Sequence, residues 1–149
     1  MLLTPHILTG VAIIILVQNP ILGLIFVLLS HYFLDLFPQT EYSVKNIRNR
    51  QWSKSLPDFL KTFLDIVLGL SIVFLTVGYT PLILIAVFVA ILPDGFTLLH
   101  SIFPANSLLK KHMEIHAAIN NVCENKKFPA FWGIVSQVAI ILIAILLLR

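Results

Sequence analysis

Charged side chains are scarce in this sequence. They make up 11% of the 149 residues, whereas 58% are hydrophobic; soluble domains carry roughly 25% charged residues. The mean hydropathy is accordingly high, at +0.97. A soluble domain of this size could not bury so many apolar side chains, so the composition predicts an integral membrane protein.

Cysteine is nearly absent. The single cysteine, Cys123, excludes an internal disulfide and a paired-cysteine zinc motif. The first apolar stretch also has no basic leader and no small-residue cleavage site, so no cleavable signal is expected. With no internal repeat and the length of one domain, residues 1–149 are predicted to form a single integral-membrane unit.

Long apolar stretches are abundant and predict an all-α, polytopic bundle of four to five spans. They cover residues 6–17, 21–37, 58–77, 81–92 and 128–148. The turn Asn19-Pro20 joins the first two into a tight hairpin. The first stretch is only roughly 20 Å long as a helix, which leaves open whether the hairpin crosses the membrane. The fourth is expected to break near Pro93, or else to continue as helix to Phe103.

The basic residues predict the orientation of the bundle. With alternating spans, nine of the ten fall on one side, which the positive-inside rule makes cytoplasmic, and Arg149 falls on the other with the C-terminus. The expected location is a bacterial-type inner membrane. Residues 104–127 are more polar and predict an amphipathic helical segment on the cytoplasmic side.

Histidines and aspartates fall at that same side of the hydrophobic segments, where isolated ionisable groups are energetically costly. Segments far apart in the sequence are therefore expected to carry histidines and aspartates, which are common metal ligands, at the same depth in the membrane. Within two pairs, His31 with Asp35 and His112 with His116, the i,i+4 spacing puts both side chains on one helix face. The candidate metal ligands are His6, His31, Asp35, Asp94, His112 and His116.

Nitrogen and carboxylate ligands together suit a divalent metal, zinc first, with manganese or iron as alternatives. Asp35 and Asp94 are also the candidate catalytic residues, each as ligand or base, and having both allows a two-metal site that activates water for ester cleavage. The nearby lysines and arginines would attract an anionic lipid, since phospholipid head groups occupy this depth. Membrane lipids are thus the expected partners.

Other interpretations stay open. The histidines and aspartates could pair with each other in a non-catalytic scaffold that binds lipid or a protein partner. Asp58 fits a first-turn helix acid and Asp65 an ion pair with Lys61, so both are left out of the candidate site, as is His100. A transporter is disfavoured because the polar groups sit at one face rather than at the midplane. Nucleic-acid binding is not expected, and the oligomeric state is open.

Three short motifs resemble a known family. They are Thr4-Pro5-His6-Ile7-Leu8-Thr9-Gly10, Ser30-His31-Tyr32-Phe33-Leu34-Asp35 and Leu92-Pro93-Asp94, and together they resemble small bacterial inner-membrane proteins named membrane-bound metal-dependent hydrolases. The resemblance implies a metal, an ester-like substrate, and roles for His6 and Asp94. The sequence departs from the family pattern at Phe96, where an aspartate is usual, and it lacks the family's later H-R-G-x-T-H-S motif.

Overall fold

Helices make up the fold, as the sequence predicted. The computed structural model describes residues 2–124 and 129–149, and these contain no β-strand. The described helices are α1 (Leu3–Leu16), α2 (Pro20–Leu34), α3 (Lys45–Arg48), α4 (Leu56–Val77), α5 (Pro81–Ile102), α6 (Ser107–Glu124) and α7 (Ala130–Leu147), with a 3-10 turn at Trp52–Lys54. The predicted start of the last span at Phe128 and the basic residues Lys126 and Lys127 lie outside the described residues.

Three of the described helices, α4, α5 and α7, are long and apolar enough to cross a membrane. This is fewer than the four to five spans expected from the sequence. The difference comes from α1 and α2, which have 14 and 15 residues. At a rise of about 1.5 Å per residue they reach only roughly 21 to 23 Å, short of a hydrocarbon core of about 30 Å.

α1 and α2 form the predicted hairpin. Pro20 occupies the first turn of α2, where its missing N–H costs nothing, and the Asn19 side chain accepts a hydrogen bond from the Leu22 backbone N–H at 3.1 Å. The turn is thus specified by residues within it, which is why it could be read from the sequence.

The predicted break at Pro93 is wrong: α5 continues through Pro93 to Ile102, as the alternative allowed. A proline removes one backbone hydrogen bond from a helix, but neighbouring helices and hydroxyl side chains can compensate in a membrane protein. Here Pro93 is buried in the bundle. The Thr97 hydroxyl one turn later donates to the Pro93 carbonyl at 3.2 Å, whereas the carbonyl that loses its partner to the proline is that of Val89, four residues earlier.

The short helix α1 forms the centre of the bundle and packs against α2, α4, α5 and α7. Ile7, Leu8 and Val11 are completely buried. At Gly10 a Cβ atom would come within 2.9 Å of the Ala90 side chain, so glycine permits the close approach of α1 to α5. Small residues serve this purpose at many membrane helix interfaces.

Asp65 of α4 stabilises the first turn of α1 rather than pairing with Lys61. Its carboxylate accepts hydrogen bonds from the backbone N–H groups of Leu3 at 2.6 Å and Thr4 at 3.2 Å, and from the Thr4 hydroxyl at 2.6 Å. Lys61 instead lies 3.9 Å from Asp58. The expected Lys61–Asp65 pair is wrong because free N–H groups at a helix start bind a buried carboxylate strongly.

The loop after α2 joins the same network. Tyr42 donates to Asp65 at 3.4 Å, and burial raises the pKa of Tyr42 to about 12, so the hydroxyl keeps its proton. Asp58, in the first turn of α4 as predicted, accepts from the backbone N–H groups of Asn46 and Ile47 at 2.8 and 3.2 Å. Both aspartates therefore have structural roles.

Candidate metal centre

Four helices bring the candidate site residues together. His6 comes from the start of α1, His31 from the last turn of α2, and Asp35 from the residue that ends α2. Asp94 lies in α5 directly after Pro93, and His116 lies in α6. His6, His31, Asp35 and His116 are all at least 96% buried. The convergence of residues distant in the sequence is therefore present in the structure.

His31, Asp35 and His116 present three ligand atoms that nearly touch. The Nε2 atoms of the two histidines are 3.2 Å apart, and Asp35 Oδ2 lies 3.3 Å from His31 Nε2 and 2.8 Å from His116 Nε2. Ligands at about 2.0 to 2.2 Å from a tetrahedral metal are separated by roughly 3.3 to 3.6 Å. The three atoms thus approximate one face of a tetrahedral site, at slightly short spacing.

The ring of His31 is held in the orientation that a metal ligand needs. Its Nδ1 lies 2.7 Å from the carbonyl oxygen of Ala90 and can only donate there, because the carbonyl has no proton. In the neutral ring, Nε2 therefore carries the free lone pair and faces the site. A backbone carbonyl that binds the second ring nitrogen is the usual support of a metal-ligating histidine.

His116 has a comparable support from Thr97. The threonine hydroxyl donates to the Pro93 carbonyl and lies 3.1 Å from His116 Nδ1, so its oxygen can accept the Nδ1 proton. With that arrangement of protons His116 also turns the lone pair of Nε2 toward Asp35. Two lone pairs and a carboxylate then face one point, an arrangement that a cation would stabilise.

His6 is buried, and neither of its ring nitrogens has a hydrogen-bond partner of acceptable geometry among the described residues. Its ring stacks on His31 with centroids 4.0 Å apart, and its Nε2 lies 3.4 Å from Asp35 Oδ1. A buried polar group without a partner costs about 1–3 kcal/mol. A ligand bound beside Asp35 would give His6 Nε2 a partner.

Asp94 forms the accessible edge of the group. Its Oδ1 lies 3.7 Å from His116 Nε2 and 4.0 Å from His31 Nε2, and 32% of its side chain is exposed. One set of ligand atoms within 4.8 Å of each other joins Asp94 with His6 and His31; a second set comprises His31, Asp35 and His116. A buried His/Asp group that could hold a metal ion is thus present, and Asp94 is its partly exposed member.

Two histidines lie apart from this group. His112 was a candidate ligand, but its Nε2 lies 2.9 Å from the Pro93 carbonyl and it belongs to neither set of ligand atoms. It stacks on His116, with ring centroids 5.8 Å apart. His100, which the sequence left out, also belongs to neither set.

Thr97 is the residue that the sequence analysis missed. It follows Asp94 by three residues on α5, so both face the same side of the helix, and it lies one turn after the proline. That spacing could have identified it. The Ala90 carbonyl had no sequence signal, because its role depends only on how closely α2 approaches α5.

No family model, no curated protein and no solved structure matches this chain. Membership of the hydrolase family therefore stays a prediction based on the short motifs alone.

Proposed function

We propose that this protein is a metal-dependent hydrolase embedded in the membrane. His31, Asp35 and His116 would hold one divalent metal, with zinc as the first choice for two imidazoles and a carboxylate. One observation supports the proposal: three buried ligand atoms lie within 2.8 to 3.3 Å of one another, beside the partly exposed Asp94. Three protein ligands and one open position are typical of catalytic rather than structural zinc sites.

In the proposed reaction, Asp94 and His6 would have separate roles beside the bound metal. A bound divalent metal would act as a Lewis acid that activates water and polarises the substrate. Asp94 would accept a proton at Oδ1; its proximity to the ligand atoms and its partly exposed side chain support this role. His6 would contribute a further ligand or a hydrogen bond to Asp35 Oδ1.

The proposed substrate is an amphiphile with an anionic ester, such as a phosphorylated lipid. The loop that follows Asp35 carries Lys45, Arg48, Arg50 and Lys54, and basic residues near a membrane attract anionic head groups. The positive-inside rule puts this loop and the site at the cytoplasmic face of a bacterial-type inner membrane. The α1–α2 hairpin would lie within the bilayer beside the three longer helices.

Metal content tests the first half of the proposal. Protein purified in detergent and loaded with zinc is expected to retain about one ion per chain, measured by plasma mass spectrometry. His31→Ala and His116→Ala should lose it, because each removes one of three ligands. His100→Ala is the matched control and should keep the ion. Equal metal content in all four proteins would refute the site.

Hydrolysis tests the second half. The zinc-loaded protein in mixed micelles with phosphatidic acid is expected to release phosphate, and chelation should stop the release. Asp94→Asn should retain most of the metal but lose activity by about 10²-fold or more, the scale of a lost general base. Metal retention without turnover of any phosphate or carboxylate ester would leave a metal-binding protein without the proposed activity.

A non-catalytic scaffold is the second candidate. The observation in its favour is that Asp35 already contacts His116 at 2.8 Å and His31 at 3.3 Å, so the imidazoles and the carboxylate can stabilise each other without an ion. This function predicts that zinc leaves the thermal stability unchanged, whereas a specific site raises it through linkage.

A further inference from the structure

α6 carries an apolar stripe that the rest of the described protein leaves uncovered. Leu108, Ile115 and Val122 are 78%, 51% and 47% exposed. They recur every seven residues, so at 100° per residue they lie within about 40° of one another on the helix surface. Their regular spacing along the 18 residues of the helix therefore aligns the three exposed apolar side chains along one side of α6.

The position of α6 in the chain relates this stripe to a membrane. α6 follows α5 and precedes α7, and both of these helices are long and apolar enough to cross a bilayer. A helix between two spans begins and ends near the membrane surface. Ile102 and Phe103, where α5 ends before α6, are also exposed apolar residues.

Charged residues lie on other faces of α6. Lys110 and Glu114 are exposed and lie about 160° and about 120° from Leu108 around the helix; Lys110 is 3.9 Å from Glu114 in a surface pair that contributes little stability. Lys111 borders the stripe, about 60° from Leu108 around the helix. A narrow apolar stripe beside lysines, on a helix of low overall hydrophobicity, is the pattern of helices that lie in the membrane interface.

We propose that α6 is an interfacial helix whose occupant is the lipid bilayer itself. Leu108, Ile115 and Val122 enter the boundary between head groups and acyl chains, and Lys111 contacts anionic head groups. His116 lies about 100° from Ile115 on the same helix and packs against the bundle, buried to 96%. Lipid therefore covers the side of α6 that carries Leu108, Ile115 and Val122, while the adjacent side, which carries His116, packs against the His/Asp group.

The depth of α6 in the membrane also determines the depth of Asp94, the partly exposed member of the His/Asp group. α6 supplies His116 next to Asp94, so an α6 held at head-group depth brings Asp94 to the same depth. The proposal about α6 does not depend on a bound metal or on hydrolysis.

Nitroxide labels at single cysteines test the proposal in the full chain. The background carries Cys123→Ser, and the protein is reconstituted in nanodiscs of phosphatidylglycerol and phosphatidylcholine. Ile115→Cys reports on the stripe, and the adjacent Glu114→Cys is the matched control on the polar side. The label at position 115 should relax with oxygen, which concentrates in lipid, several-fold more than with a water-soluble nickel chelate, and the label at 114 should show the reverse.

Two results would overturn the proposal. Equal access of the nickel chelate at positions 115 and 114 would mean that the stripe faces water. Exclusion of both reagents at position 115 would mean that protein covers it, and spin–spin broadening there would identify a second copy of the chain. Leu108→Cys repeats the measurement at a second stripe position, so that failure of one variant to fold does not decide the outcome.

Discussion

At the scale of single residues, Asp35 organises the site. One of its oxygens lies near the Nε2 atoms of His31 and His116, and the other lies 3.4 Å from His6 Nε2. A buried carboxylate needs such partners, because an ion taken out of water without compensation is strongly unfavourable. The three imidazoles therefore stabilise the buried carboxylate together, and loss of any one of them would affect the whole group.

Thr97 offers a test of how the ligands are oriented. Thr97→Val removes the hydroxyl that lies 3.1 Å from His116 Nδ1 but keeps the side-chain volume. Zinc affinity is expected to fall by about 10- to 100-fold, because a metal-ligating histidine would lose the hydrogen-bond partner of its second ring nitrogen. Competition with a chromophoric chelator measures this affinity. Thr97→Ser should restore most of the affinity. An unchanged affinity in Thr97→Val would show that the hydroxyl does not orient His116.

At the scale of helices, the start of α1 depends on another helix. The residue before α1, Leu2, provides no side-chain cap, and Asp65 of α4 accepts the hydrogen bonds of the first turn instead. His6 lies in the next turn of α1. Asp65 therefore stabilises the start of the helix that carries one member of the His/Asp group.

Asp65→Asn is expected to destabilise the protein by about 1–3 kcal/mol, because a charged acceptor of buried N–H groups is replaced by a neutral one. Unfolding in detergent, followed by circular dichroism, measures this. Glu114→Gln, on the exposed surface of α6, is the charge-matched control and should change stability by less than about 0.5 kcal/mol. Equal stability of the two variants would contradict the capping role.

At the scale of the whole molecule, the short helix α1 is surrounded by four others. Its polar start can therefore lie inside the bundle rather than in lipid, and this allows His6 to be completely shielded. α4 and α7, in contrast, are mostly exposed along their apolar surfaces. The longer helices would face lipid, while the short central helix α1 carries part of the site.

The orientation in the membrane can be tested by cysteine labelling in intact cells. The positive-inside rule predicts that the basic loop is cytoplasmic. In a Cys123→Ser background, Ser53→Cys in this loop should therefore be protected from an impermeant maleimide. Tyr79→Cys, in the exposed turn between α4 and α5, should react. The opposite pattern of labelling would invert the proposed topology and put the site on the outer face.

Several features were determined by the sequence alone. The scarcity of charge and the apolar stretches predict helices for a membrane, because backbone groups in lipid must be satisfied within the segment. The Asn19-Pro20 turn predicts the hairpin for an equally local reason. Pro93 shows the limit of this reasoning: the same residue that ends helices in water lies within α5, where tertiary packing surrounds it.

The composition of the site was decided by the tertiary structure. His112 and His116 are both histidines on α6, one helical turn apart. Only His116 contacts Asp35, whereas His112 contacts a backbone carbonyl. Likewise Asp65 binds the start of α1 instead of Lys61. Local spacing places side chains on a helix face, but the rotation and height of each helix against its neighbours determine which of them meet, and these depend on packing across the whole bundle.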